Sequence, residues 1–452
     1  MTTDTAAGPA PGRHGGEAQA LAYVEQAHRE AGKVPDLPSN LAARPIRSVG
    51  VIGAGTMGGG IAMSMANAGI PVILVDQSAE TLERGLARVR DTYAFSHKRG
   101  RLDADSMQAR LALISGATDI DALAPVDLAI EAVFEEMSLK KRIFAHLDRV
   151  LPEKAILATN TSGLDIDEIA TATARPASVV GAHFFSPAHV QKLLEVVRTR
   201  DTAPDVIATL MELGHRMGKV SVLARVYPGF IGNALFRQYV REAHFLVEEG
   251  ALPHQVDAVM TRFGFPMGVF AVHDMAGNDV GWQMRKAQMA TRPTDRRWND
   301  LILELCDMGR FGQKAGRGWY RYEPGDRTPR RDPEIEQFIV ERSARLGIDR
   351  RPVSDEEILK RCLYGMINEG VRLLDQGVAL RPGDIDITFI TGYGFPRQRG
   401  GPMYYGESVG IDAIRSDIER FHAEHGYWWK PATGLERLAR SGGTFADLVA
   451  GA

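Results

Sequence analysis

The sequence predicts an α/β fold, a doubly wound and largely parallel sheet, followed by two related all-helical domains. Three observations predict it. Between residues 46 and 226, short β-rich runs alternate with helical stretches, as successive βαβ units do. The first run leads directly into a glycine-rich turn, Gly53-Ala54-Gly55-Thr56-Met57-Gly58, that opens a helix, the Rossmann-type arrangement. After Pro228-Gly229 the pattern becomes helical, and that helical pattern recurs further along the chain.

Taken in order, residues 1–16 are rich in Gly, Ala, Pro and Thr and are expected to be disordered. Leu21, Val24 and Ala27 give Glu17 to Glu30 one short amphipathic helix, and a Pro-bearing linker runs from Lys33 to Pro45. Candidate strands are Ser48–Ile52, Pro71–Val75, Asp127–Ala132, Ala155–Ala158 and Ser178–Phe184, with a last apolar run at Val220–Val226. Helices are expected from near Met57, Ala79, Ser138 and Leu164. Ile231, Leu235, Tyr239, Ala243 and Leu246 then recur near a period of 3.6 and stop at Gly250. A Pro/Arg/Asp-rich linker covers Glu323 to Asp332, and Ser354 with Glu357 forms a capping box that opens a further helix.

An internal repeat relates the two helical parts. Glu242, Gly250, Asp257 and Gly264-Phe265-Pro266 recur in the same order as Glu369, Gly377, Asp386 and Gly394-Phe395-Pro396. The expected organisation is therefore an arm over 1–44, a nucleotide-binding sheet domain over 45–226, helical domains over 227–323 and 334–452, and a linker at 324–333. At 452 residues the chain is long enough for several cores.

Composition narrows the class. A net charge of -3 argues against nucleic-acid binding, which wants a basic surplus. Two cysteines, Cys306 and Cys362, are too few for a disulfide framework or a metal cluster, so no metal is expected and a reducing compartment is. The absence of a long apolar run, a secretion signal or a peroxisomal tail points to a cytoplasmic protein without a membrane partner.

Two constellations carry chemistry. In the glycine-rich turn the glycines let backbone approach a pyrophosphate seated on the helix N-terminus. Asp76 ends the second strand 23 residues after Gly53, where a carboxylate accepts from ribose hydroxyls and repels a 2′-phosphate. The expected cofactor is NAD. The second constellation is His183, ending one strand, with Glu195 inside the next apolar run. A hairpin centred near His189 would set them face to face. An imidazole suits removal of a hydroxyl proton near neutral pH, and a carboxylate on its other nitrogen fixes the tautomer. A histidine satisfied by a backbone carbonyl is the competing reading.

Longer stretches carry a resemblance. GVIGAGTMGGGIA, LVDQS, IEAVFE, TNTSGLDI, GAHFFSPAHVQKLLEV, PGFIGNAL, GFPMGVFAVHDMAGNDVGW, GQKAGRGWY and NEGVRLLDQGVALRPGDID with GYGFPRQRGGPM span residues 46 to 452. They resemble the (3S)-3-hydroxyacyl-CoA dehydrogenase family, in the form carried by the dehydrogenase half of multifunctional fatty-acid β-oxidation enzymes. The resemblance implies NAD-dependent, reversible oxidation of a (3S)-3-hydroxyacyl-CoA to the 3-ketoacyl-CoA. It implies a catalytic His183 with partner Glu195, Ser162 on the substrate's 3-oxygen, and Asn233 near its carbonyl. Glu135 and Lys140 match positions near the nicotinamide, and Gln77 follows Asp76 in the ribose-binding stretch. Ser162 and Asn233 are also plausible helix caps. Lys98, in the basic cluster His97-Lys98-Arg99 with Arg101, suits the phosphates of coenzyme A or a solvated helix end.

Ser186 matches the multifunctional branch, whereas Gly163 stands where a second serine is common. No hydratase domain is expected within the chain. Because the helical domain is duplicated, the second repeat is expected to act as a built-in partner for the first, without a catalytic residue of its own. That makes the chain a monomer with an internal pseudo-dimer. Two other readings are the same chemistry on a carrier-bound or specialised thioester in biosynthesis, and a non-catalytic NAD-binding protein of crystallin kind.

Overall fold

The computed structural model of the chain describes residues 16–38 and 41–449. The disorder expected for residues 1–16 falls outside these, save for Gly16. The chain divides into two compact units. One holds Tyr23–Asn233 with Gln376–Tyr393 and contains the sheet. The other holds residues 16–22 and 394–449 with Ala234–Asp375, and is helical.

The sheet has eight strands: β1 (Val49–Ile52), β2 (Val72–Val75), β3 (Ile114–Ala117), β4 (Leu128–Glu131), β5 (Ile156–Thr159), β6 (Val179–Phe184), β7 (Leu193–Arg198) and β8 (Val220–Arg225). Their spatial order is β3-β2-β1-β4-β5-β6-β7-β8. All neighbours run parallel except β6 and β7, which are antiparallel. The central strands β1, β4, β5 and β6 are buried at every position and apolar but for Glu131, Thr159 and His183 near their C-terminal ends, because helices cover both faces. The core gathers Val51, Leu74, Ile130, Ala158, Val180 and Val196 with the helices that cross over them.

Six strands lie within a residue or so of their expected bounds. The edge strand β3 was not anticipated, because Ile-Ser-Gly-Ala carries one large apolar residue and two of its four positions are exposed. The helix Glu17–Ala31 forms as expected, and Tyr23 on it donates to Asp386 at 2.7 Å. Asp386 belongs to the helix Pro382–Tyr393, part of the second repeat by sequence. This helix packs with the sheet unit, against β7 and β8.

In the helical unit the repeated motifs meet reciprocally. A Cβ on Gly264 would touch Pro396, and one on Gly394 would touch Pro266. Phe263 and Phe265 both meet Phe395, at ring separations of 5.6 and 5.4 Å. Beside them Arg361, fully buried on the helix Asp355–Asp375, is held by Glu242 and Glu249 of the first repeat. Both cysteines are free and buried. Among the described residues no helix is long and apolar enough to cross a membrane.

Candidate functional site

The glycine-rich turn joins β1 to the helix Thr56–Asn67. Gly53 takes a φ of 99°, and a Cβ there would stand 2.7 Å from the carbonyl of Ala132. A Cβ on Gly58 would strike the Gly53 carbonyl. These two positions require glycine to close the turn. Gly55 differs: nothing lies within 4 Å of its missing Cβ, and no side chain caps the helix it begins. The helix therefore starts uncapped beside open space, with Thr56 exposed and Met57 half-buried. This is the cradle a pyrophosphate needs. Asp76, at the end of β2, accepts from the amides of Ala54 (2.7 Å) and Gln77 (2.8 Å) and from Thr81 Oγ1 (2.5 Å). It thus ties the turn to the second βα loop, where a ribose would lie; the Gln77 side chain is exposed. Ser78 caps the following helix through Thr81 N, a contact worth about 1 kcal/mol.

The second constellation sits on the antiparallel pair. His183 on β6 is registered opposite Glu195 on β7, and Nδ1 lies 2.7 Å from Glu195 Oε2. His183 is buried, and Glu195 has no exposed surface. Its other oxygen, Oε1, accepts from the amides of Ile231 (3.1 Å) and Gly232 (2.9 Å), at the start of the helix Gly232–Glu249. Phe230, just before, adopts a left-handed φ of 50°, which turns the chain so that both amides point at the carboxylate. A helix N-terminus favours a negative group. The rings of Phe185 (4.4 Å) and Phe230 (5.8 Å) flank the imidazole. With Nδ1 engaged, Nε2 is the nitrogen left to exchange a proton.

Glu135, Lys140 and Ser162 come together. Lys140, on the helix Met137–Val150, is buried against Glu131 at 2.8 Å and lies 3.3 Å from Glu135 Oε2. Glu135 Oε1 accepts from Thr161 Oγ1 (2.6 Å) and from the amide (2.8 Å) and hydroxyl (3.1 Å) of Ser162. Burial raises the Glu135 pKa, but Lys140 and these hydrogen bonds outweigh it and hold the carboxyl below its usual range. Ser162 does not cap a helix; Asp165 caps Ile166–Ala170 instead. Asn233 falls inside the first turn of its own helix. Its Nδ2 donates to the Ser162 carbonyl at 3.2 Å, and its Oδ1 accepts from Tyr393 at 2.9 Å. Gly163 lies where a Cβ would come 3.1 Å from the backbone nitrogen of Gly229, so a larger residue would press on this junction.

Lys98 is exposed in the last turn of the helix Ala79–Lys98, and nothing draws it toward the groups above. Three groups escaped sequence reasoning. Glu131 ends an apolar strand, and its buried carboxylate is met by Lys140, Thr159 and the Val133 amide. Phe185 and Tyr393 are aromatic residues whose neighbours are set by tertiary packing. A charged residue closing the run Leu128–Ala129–Ile130 is the one signal that could have revealed Glu131.

Comparisons follow from this geometry. The model of the 3-hydroxyacyl-CoA dehydrogenase NAD-binding domain matches residues 48–226. The model of the corresponding C-terminal domain matches twice, over 229–322 and 358–444. The peroxisomal bifunctional enzyme of Cavia porcellus is 42% identical over 450 residues, covering 95% of this chain and 62% of that protein. Its Danio rerio counterpart is 45% identical, covering 90% and 58%. The chain thus spans about three fifths of the length of these relatives. Among solved structures, 3-hydroxybutyryl-CoA dehydrogenase from Escherichia coli matches with a TM-score of 0.75 and 29% identity, over 88% of this chain and all of that one. The dehydrogenase part of multifunctional enzyme 1 from C. elegans matches with a TM-score of 0.67 and 31% identity, over 94% of this chain and all of that one. With an NAD-binding sheet domain and a duplicated C-terminal domain, the chain belongs to the 3-hydroxyacyl-CoA dehydrogenase family.

Proposed function

We propose that the chain oxidises the 3-hydroxyl of a (3S)-3-hydroxyacyl-CoA to the ketone, reversibly, as a step of fatty-acid β-oxidation. One observation carries the reading: the buried His183–Glu195 pair on adjacent strands, with only the imidazole's Nε2 left to act. When bound, NAD supplies the hydride acceptor. Gly53, Gly55, Thr56, Met57 and Gly58 form its pyrophosphate cradle; Asp76 and Gln77 lie at the ribose, and Glu135 and Lys140 at the far end.

His183 Nε2 takes the hydroxyl proton as hydride leaves the same carbon, so the two electrons of the C–H bond depart while the O–H bond breaks. Glu195 holds the neutral tautomer beforehand and balances the imidazolium afterwards. The Ile231 and Gly232 amides keep Glu195 from swinging away. Ser162 stands at the substrate's 3-oxygen: its hydroxyl, which donates to Glu135 in the free site, turns to donate to a lone pair of that oxygen, whose one proton goes to His183. Asn233 donates toward the thioester carbonyl. Lys98 is proposed only as a solvent-side contact for coenzyme A phosphates.

The test follows NADH consumption with 3-ketoacyl-CoAs of increasing length and with carrier-bound analogues. His183→Gln should lower kcat by about 10²–10⁴, the usual worth of a general acid or base, while NADH affinity stays unchanged. Near-normal turnover in this variant would end the reading.

The same proposal holds the chain to be a monomer in the cytoplasm, with its helical repeats forming an internal pseudo-dimer. The reciprocal Gly264–Pro396 and Gly394–Pro266 contacts support it, since identical patches meeting each other are the mark of a dyad. Two buried free thiols support a reducing compartment. Cell fractionation that recovers the chain in a membrane-bound organelle would overturn the location.

A further inference from the structure

We propose that Tyr393 of the second helical repeat is a positioning residue for the acyl thioester, acting through Asn233. The proposal rests on the reaction put forward above. The repeat aligns Phe263-Gly264-Phe265-Pro266 with Tyr393-Gly394-Phe395-Pro396, so one duplicated position carries two aromatics that differ by a hydroxyl. Phe263 keeps to the helical unit, edge-on to Phe395 (5.6 Å) and Tyr405 (5.1 Å). Tyr393 ends a helix that packs with the sheet unit. Its ring stacks on Phe389 at 4.8 Å and meets Phe185 edge-on at 5.6 Å. Phe185 in turn lies against the His183 imidazole.

The hydroxyl anchors the second end of the Asn233 amide. An asparagine amide has two nearly isosteric ends, and a flip exchanges donor for acceptor. The Ser162 carbonyl can only accept, so Nδ2 must face it; Oδ1 then receives the phenolic proton of Tyr393. Held at both ends, the amide presents its remaining N–H in one direction. The fit is close: a Cβ on Gly232 would stand 2.6 Å from the tyrosine ring. Removing the hydroxyl leaves the amide held at one end only, free to swing its remaining N–H away from the place where the substrate carbonyl needs a donor. The duplication thus supplies the site with an orienting group that its counterpart position in the first repeat lacks.

The experiment is a double-mutant cycle on the full chain, read by steady-state kinetics with NADH, acetoacetyl-CoA and longer 3-ketoacyl-CoAs. Tyr393→Phe keeps both ring contacts. It should lower kcat/KM for the thioester on the order of 10-fold, the scale of one oriented hydrogen bond, and leave the KM for NADH unchanged. In an Asn233→Ala background the same substitution should cost less than about twofold, because the group it acts through is gone. A Tyr393→Phe enzyme within about twofold of wild type overturns the proposal. An equal loss in both backgrounds also overturns it, since a merely structural role would act in either. Wild-type protein that turns over none of these thioesters would instead overturn the reaction itself, and the proposal with it.

Discussion

Glu195 is a carboxylate without solvent, and three donors meet it in place of water: the His183 imidazole and two amides from a helix start. The cost of stranding such a group is what makes the pair specific. Replacing either partner would leave the other buried and unmatched. Asp76 works differently. It lies near the surface, and its two oxygens already brace the turn through Ala54, Gln77 and Thr81. A 2′-phosphate brought beside it adds like charge in a confined space, which costs several kcal/mol. We therefore expect kcat/KM with NAD to exceed that with NADP by on the order of 10²-fold or more, and Asp76→Asn to narrow the gap. Comparable values for wild-type protein with both cofactors would remove Asp76 from the ribose site.

At the scale of elements, the helix Gly232–Glu249 opens with the Gly232 amide on Glu195, and its later turns carry His244 into the helical core. There His244 is enclosed by Phe270 (5.6 Å) and Trp319 (5.1 Å). Burial, with the charges of His273, Arg285 and Arg342, pushes its pKa well below the ordinary range. The unfolded imidazole protonates near 6.5, so on acidification the unfolded chain gains the proton first. The stability this group contributes is present above pH 6.5 and lost as pH falls. Asp257, pushed up to about 6 by burial against its hydrogen bonds, runs the other way, its contribution being lost as pH rises through 6. A comparison at matched pH separates them. His244→Phe should shrink the acid penalty between pH 7 and pH 5, by no more than about 2 kcal/mol, the ceiling for one proton over the 1.5 units below 6.5. Denaturant titrations that lose equal stability over this range in both proteins would refute it.

For the whole molecule, the proposed monomer rests on the duplicated helical domain. A tethered copy has an effective concentration in the millimolar range for a short linker, so the second repeat should outcompete another chain for the face of the first. Light scattering should give 49.4 kDa at micromolar concentration. A mass of twice that would count against the internal pseudo-dimer. Truncation before Arg331 should yield aggregated or self-associated protein, because Phe263 and Phe265 lose Phe395, and Glu242 and Glu249 lose Arg361.

Periodicity, the glycine turn and the numbering symmetry about His189 were enough to read the sheet, the nucleotide loop and the His183–Glu195 register from the sequence alone, because each follows from local chain geometry. The repeat was legible for the same reason: Glu242, Gly250 and Gly264-Phe265-Pro266 recur at similar spacing. What the sequence by itself left open has a common cause. The strand Ile114–Ala117 forms because β2 offers an edge, not because Ile-Ser-Gly-Ala prefers extension. Glu131 tolerates burial because Lys140 arrives from a helix nine residues on. Tyr393 reaches Asn233 across 160 residues of chain, and spacing in sequence carries no information about such a distance. Local preferences are written residue by residue, whereas the partner of a buried polar group is chosen only when the tertiary structure excludes water from it.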